Sequence, residues 1–147
     1  MKLPGLLSSV RLNYGKNRLR KKTKYSLGLN MPNIVHFEVP FEDGERARKF
    51  YAELFGWKIV SYPGMEYWMV QTFGGPGGGM MKRVQPGQQI MNYFGVPSLQ
   101  ESSAKVETLG GKIIVPKMTV PGMGYFVVCM DTEGNVFGLW EEDSQAK

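Results

Sequence analysis

The sequence is poor in the residues that build covalent and metal frameworks: its 147 residues include one cysteine, Cys129, and one histidine, His36. A single thiol excludes an intramolecular disulfide framework and a cysteine-rich zinc site, and it fits a reducing, cytoplasmic compartment. A single imidazole means that any Ser-His-Asp or Cys-His centre must use His36, and that one chain cannot supply a multi-histidine metal site. Long apolar runs are missing too. None approaches the roughly 18 to 20 residues that cross a bilayer, so a soluble protein with no membrane partner is expected. Hydrophobic residues at 42% and charged residues at 21% exclude a wholly disordered or collagen-like chain. The length fits one domain with its own core.

Acidic residues are absent from the first thirty positions, which hold Lys2, Arg11, Lys16, Arg18, Arg20, Lys21, Lys22 and Lys24. Without these, residues 31–147 carry ten basic side chains against thirteen acidic ones. The net charge of +5 is therefore a property of the leader, and the domain is mildly acidic. A nucleic-acid partner loses its main support, because counterion release needs positive charge on the folded surface. Residues 1–30 lack an apolar stretch long enough for a secretory signal. Three readings stay open for this basic leader: disordered or upstream of a true start at Met31, an organellar transit segment, or an arm for RNA or anionic lipid. The first is preferred, because Met31 directly precedes the strand-like run Ile34 to Val39.

Residues 31–147 read as one domain made of two similar units, about 33–84 and about 89–142, with anchors recurring at a spacing of about 57 residues. Val39-Pro40 recurs as Val96-Pro97, Gly56-Trp57-Lys58-Ile59 as Gly110-Gly111-Lys112-Ile113, and Pro63-Gly64-Met65-Glu66-Tyr67 as Pro121-Gly122-Met123-Gly124-Tyr125. Ile34 to Val39 and Met91 to Val96 read as strands, each halted by a proline. A helix follows both times. Asp43 is placed to cap the first, whose Ala47, Phe50, Tyr51, Leu54 and Phe55 form one apolar face against a sheet. Ser98-Leu99-Gln100-Glu101 has the form of a capping box for the second. Gly56 and Gly110 suit the left-handed turn that ends each helix. Three strand candidates then follow in each unit: Trp57 to Tyr62, Tyr67 to Phe73 and roughly 79–83, then Lys112 to Val115, Tyr125 to Met130 and Val136 to Glu141. The fold class is α+β: two tandem β-α-β-β-β units forming a curved mixed sheet around a concave cavity. Gly74 to Gly79 lacks a G-K-[ST] ending and a following helix, so it is read as a flexible loop at the cavity mouth and not a phosphate loop.

This pattern carries Val35-His36-Phe37-Glu38-Val39 at its first strand, Phe50-Tyr51 ahead of Leu54-Phe55-Gly56-Trp57, and Asp131-Thr132-Glu133-Gly134-Asn135-Val136-Phe137-Gly138-Leu139-Trp140 at its end. It resembles the vicinal oxygen chelate superfamily of glyoxalase I, bleomycin-resistance proteins and extradiol dioxygenases, and most of all the small bacterial proteins labelled glyoxalase-like. The resemblance implies four inward-facing positions that hold a divalent ion in the metal-using members. Carried over, these fall on His36, Gly79, Tyr93 and Gly138, and only His36 is a competent donor where about three are usually needed. No metal and no cofactor are therefore expected. The resemblance also implies a homodimer.

Strand alternation puts Ile34, His36 and Glu38 on one face and Val35, Phe37 and Val39 on the other, under the helix. His36 and Glu38 are weak catalytic candidates: the carboxylate would raise the imidazole pKa toward physiological pH, or the pair is simply a satisfied structural contact. Gly79 and Gly138 would leave open volume on the cavity floor, or mark close strand packing. Tyr93 and Trp140, with Tyr67, Trp68 and Tyr125, are candidates for an aromatic lining. Cys129 reads as buried filler. The expected function is metal-independent binding of a small hydrophobic or aromatic molecule. The alternatives are a lyase, isomerase or dioxygenase with a metal on His36 and atypical donors such as Glu38, and a protein whose basic arm binds nucleic acid or membrane. Whether a reaction is catalysed is left open.

Overall fold

The computed structural model describes residues 32–147; the readings made for the basic leader lie outside them. Two β-α-β-β-β runs follow each other along the chain, as the repeated grammar predicts. The first comprises β1 (Ile34–Phe41), α1 (Gly44–Phe55), β2 (Lys58–Ser61), β3 (Tyr67–Gln71) and β4 (Gly77–Lys82). The second comprises β5 (Met91–Gly95), α2 (Leu99–Thr108), β6 (Lys112–Val120), β7 (Gly124–Met130) and β8 (Val136–Glu142). All eight strands form one mixed sheet in the order β2-β3-β4-β1-β5-β8-β7-β6. The β1–β4 and β5–β8 pairs are parallel and the others antiparallel. The sheet does not close into a barrel. No described helix is long and apolar enough to cross a membrane.

Local chemistry starts and stops the helices where the sequence places the signals. The Asp43 carboxylate accepts from the Arg46 N–H and the Ser98 hydroxyl from the Glu101 N–H, each filling one orphan donor of a first turn. Gly56 closes α1 at φ 68°, a conformation that a side chain disfavours. Both helices lie on the same face of the sheet. Under α1, Val39, Phe41, Val70 and Met80 are buried with Phe37, Tyr51 and Trp68 packed against them. Under α2, Leu99, Val127, Cys129 and Leu139 form the matching cluster, with Cys129 as filler.

Several elements depart from expectation. α1 presents only part of its apolar face to the sheet: Ala47 and Tyr51 join the core, while Phe50, Leu54 and Phe55 stay exposed. β1 runs through Pro40, because its last pair with β5 is Glu38 with Met91 and the missing N–H costs no bond to that neighbour. β6 runs through Pro116 as an edge strand whose register shifts on either side of Val115, the setting that tolerates proline. Gly77 to Gly79 are strand and not loop. A Cβ on Gly78 would meet the Phe37 ring, and one on Gly79 the Tyr67 ring, so these glycines make room for rings from neighbouring strands.

The register reveals a pseudo-twofold axis. Across β1 and β5, His36 opposes Tyr93 and Glu38 opposes Met91. Glu38 lies beside Gly79 in β4, and Tyr93 lies beside Gly138 in β8. Met69 then opposes Gly79 and Tyr67 opposes Met81, as Val128 opposes Gly138 and Phe126 opposes Trp140. The axis therefore relates His36 to Met91, Glu38 to Tyr93, Tyr67 to Phe126 and Gly79 to Gly138. The helix caps Asp43 and Ser98 keep the same correspondence as β1 and β5. The Val-Pro dipeptides do not, so the match made through them is displaced by two residues.

Candidate functional site

The face of the sheet opposite the helices gathers the polar chemistry. Alternation along β1 sends His36 and Glu38 there, and the register adds Tyr67 from β3 and Tyr93 from β5. The Tyr93 hydroxyl donates to Glu38 Oε2 at 2.9 Å, and the Tyr67 hydroxyl donates to Glu38 Oε1 at 3.4 Å. His36 Nε2 lies 2.9 Å from the Tyr67 oxygen. The His36 and Tyr93 rings meet edge to face with centroids 5.7 Å apart, and Tyr93 meets Phe126 the same way at 6.0 Å. Tyr93 is only 7% exposed although neither helix packs above it, which requires the sheet to curl around this centre.

The two glycines explain how the phenols fit. A Cβ on Gly79 would fall within the Tyr67 ring and hydroxyl, and one on Gly138 within the Tyr93 ring. The space that the glycines leave is thus filled by tyrosine, where open volume was one expectation. Two hollows lie away from this cluster. One of about 390 Å³ sits by Ile90, Phe94 and Phe137, and another of about 350 Å³ sits at the start of α1. At the first, Asp131 is already engaged: it accepts from the backbone of Glu133 and Asn135 at 2.8 Å each and from the Asn135 amide at 2.9 Å.

The other sequence candidates divide by strand parity. Trp140 stands on the helix-free face opposite Phe126. Tyr125 faces the other way: it packs in the helix-side cluster, donates to Asp143 at 3.2 Å and lies under Lys117 Nζ at 3.8 Å from its centroid. It is therefore separated from the other candidates by the sheet. Methionine is the residue type that sequence reading passed over. Met69, Met81, Met91, Met118 and Met130 all share parity with the site, a pattern that appears only once the register is known.

Burial sets the protonation states. It pushes the His36 pKa down from its ordinary 6.5, so the expected rise from a neighbouring carboxylate is not what the structure produces: Glu38 turns to the phenols. Burial pushes the Glu38 pKa up from 4.5, partly countered by the hydrogen bonds from Tyr93 and Tyr67. Both phenols are raised, first by burial and then by the facing carboxylate.

These directions have opposite consequences for stability. The unfolded chain protonates His36 near 6.5, before the folded protein does, so the stability owed to a neutral imidazole is lost as pH falls from 6.5 through the folded value. Glu38 protonates first in the folded state, so its contribution grows as pH falls toward 4.5. Replacing His36 with Gln isolates the first term. The stability difference between native protein and His36→Gln is expected to shrink between about pH 7.5 and about pH 5.5 in urea titrations. A difference that stays constant or widens would contradict a buried neutral imidazole.

With this geometry in place the chain can be set beside known proteins. A "Glyoxylase-like domain-containing protein" of Didymella fabae is 31% identical over 119 residues, spanning 72% of this chain and 91% of that protein. The chain belongs to the vicinal oxygen chelate superfamily. The family described as "Bleomycin resistance protein-like N-terminal" matches residues 33–72 of this superfamily member. "Putative glyoxylase CFP32" of Mycobacterium bovis is 28% identical over 130 residues, and the chain spans about half (48%) of its length. The crystal structure of a glyoxalase/bleomycin resistance protein/dioxygenase superfamily member from Vibrio splendidus superposes with a TM-score of 0.59 at 12% identity, covering 76% of this chain and 100% of that one. That likeness shows the shared fold.

Metal-using members of the superfamily take one donor from the first and one from the last strand of each unit. In this vicinal oxygen chelate protein, the twofold-related positions are His36 and Met91 on the first strands and Gly79 and Gly138 on the last, so Met91 replaces Tyr93 in the expected set. They supply one imidazole and one thioether, and no carboxylate. Among the described residues no group of three or more His, Cys, Asp or Glu side chains could hold a metal ion. The residues present do not fit the superfamily's divalent ion.

Proposed function

We propose that the protein binds a small hydrophobic or aromatic molecule on the helix-free face of its sheet, and does so without a metal ion. The observation that carries this reading is the exchange at both glycines: where a metal-using relative projects a donor from each last strand, this chain projects none, and a tyrosine ring lies in the space. The residues bordering the polar centre are apolar, and Lys58, Gln71 and Lys112 share the face only toward its outer strands. Met69, Met81 and Met91 border the centre, and Val60, Met118 and Val136 leave large side chains in solvent farther out. Few placed polar groups in apolar surroundings suit a small organic ligand, and methionine adapts to flat rings of varied outline. Glu38 has both oxygens engaged by phenols, which weighs against its joining His36 at a metal in a lyase, isomerase or dioxygenase.

Elemental analysis of the purified protein, paired with thermal-shift measurements on naphthalene-ring probes, tests the reading. Well under one divalent ion per chain is expected, with a probe at a hundred times its Kd stabilising the fold by about 2.7 kcal/mol. About one tightly held divalent ion per chain would overturn the metal-free part. Absence of any shift with every ring probe would overturn the binding part.

A further inference from the structure

The hydrogens of the four-residue cluster can be placed by counting. Tyr93 has one proton and spends it on Glu38 Oε2. Tyr67 also has one proton, and two acceptors lie in reach: Glu38 Oε1 at 3.4 Å and His36 Nε2 at 2.9 Å. If Tyr67 donates to the imidazole, its contact with the carboxylate holds no hydrogen and a buried charged oxygen loses a donor. If it donates to Glu38, then Nε2 carries the imidazole proton and donates to the Tyr67 oxygen, so both contacts are hydrogen bonds. The second arrangement satisfies more of the buried groups. It leaves no donor free in the cluster. What remains open is acceptors only: His36 Nδ1, the spare lone pairs of Glu38, and the Tyr93 oxygen.

The pseudo-twofold axis adds a direction. Tyr67 corresponds to Phe126, His36 to Met91 and Met81 to Trp140. The hydroxyl and imidazole of the first unit are thus replaced by ring and thioether surfaces in the second. The Trp140 indole lies over Gly124, outside the four-residue cluster. The face is polar on one side of its centre and apolar on the other.

We infer that this face takes its ligand through hydrogen bonds that the ligand donates: an aryl hydroxyl, amine or amide N–H set toward His36, Glu38 and Tyr93, with a flat apolar body over Phe126, Val128 and Trp140. It turns away carboxylates and other oxyanions. A ligand oxyanion would meet the Glu38 charge and a row of acceptors, losing its water without gaining a donor. This is the reverse of what a metal ion at the same centre would select. The inference rests on the binding reading above.

One ring with three head groups tests it by calorimetry: 2-naphthol, 2-(aminomethyl)naphthalene and 2-naphthoate. The first two are expected to bind at least about tenfold more tightly than the carboxylate, since a hydrogen bond to a charged group accounts for that ratio. In Glu38→Gln, where the amide brings its own donor and removes the charge, the ratio is expected to fall to about threefold or less. Naphthoate binding as tightly as naphthol to the native protein would overturn the inference while leaving ring binding intact. If none of the three binds, the reading beneath it falls as well. Should Glu38→Gln not fold, nitrogen-15 NMR of the native protein still decides. His36 is the only imidazole in the chain, so its two ring nitrogens are assigned without ambiguity. A bare Nδ1 and a protonated Nε2 at about pH 8 are expected, and a protonated Nδ1 would overturn the count.

Discussion

Gly138→Ala lowers the stability of the domain by about 1–3 kcal/mol, the usual cost of overpacking a well-filled site. Gly138 has no positive φ, so its backbone accepts alanine and the added methyl is the whole perturbation. That methyl would fall within the Tyr93 ring, which is 7% exposed. Tyr93→Ala alone is expected to cost about 3–5 kcal/mol, because it empties the space above the glycine. In the double variant the obstructing ring is gone, and adding the methyl to Tyr93→Ala costs close to nothing. Urea midpoints of the four proteins at constant m give the coupling, expected at about 1–3 kcal/mol. Strictly additive costs would mean that the ring does not lie over Gly138. The same cycle with Gly79 and Tyr67 probes the other half of the site.

Leu99→Ala is expected to cost about 2–5 kcal/mol, and Leu54→Ala no more than about 0.5 kcal/mol. The chemistry of the two truncations is identical and only the surroundings differ. Leu99 opens α2 at 2% exposure among Val127, Cys129 and Leu139. Glu141 further ties its N–H at 2.6 Å. Leu54 is 57% exposed on α1, a helix with no fully buried residue. Chemical denaturation of the two variants reads the contrast directly. Equal costs would place the Leu54 side chain in a core that the structure denies it.

That contrast marks one limit of sequence reading. The spacing of Ala47, Phe50, Tyr51, Leu54 and Phe55 predicts a single apolar face, yet the sheet covers only the side that carries Ala47 and Tyr51. Periodicity says which residues share a face, and the width of the supporting surface decides how many of them are buried. The tyrosines mark another limit. Pro-Gly-Met-x-Tyr occurs twice, but Tyr67 opposes Met81 on the helix-free face while Tyr125 opposes Glu141 on the helix side. β7 begins one residue earlier, at Gly124, and a shift of one residue sends the same motif to the opposite face.

The sequence by itself determined the element order, the capped helix starts, the duplicated β-α-β-β-β grammar, and the shared face of His36 and Glu38. All of these follow from interactions spanning a few residues: alternation, turn chemistry, and side-chain caps on backbone donors. Only the tertiary structure decided that Met91 and not Tyr93 answers His36 across the axis, and that tyrosine rings fill the space over both glycines. Register between strands far apart in the chain is fixed when both faces of the sheet pack at once, and no local pattern contains that condition.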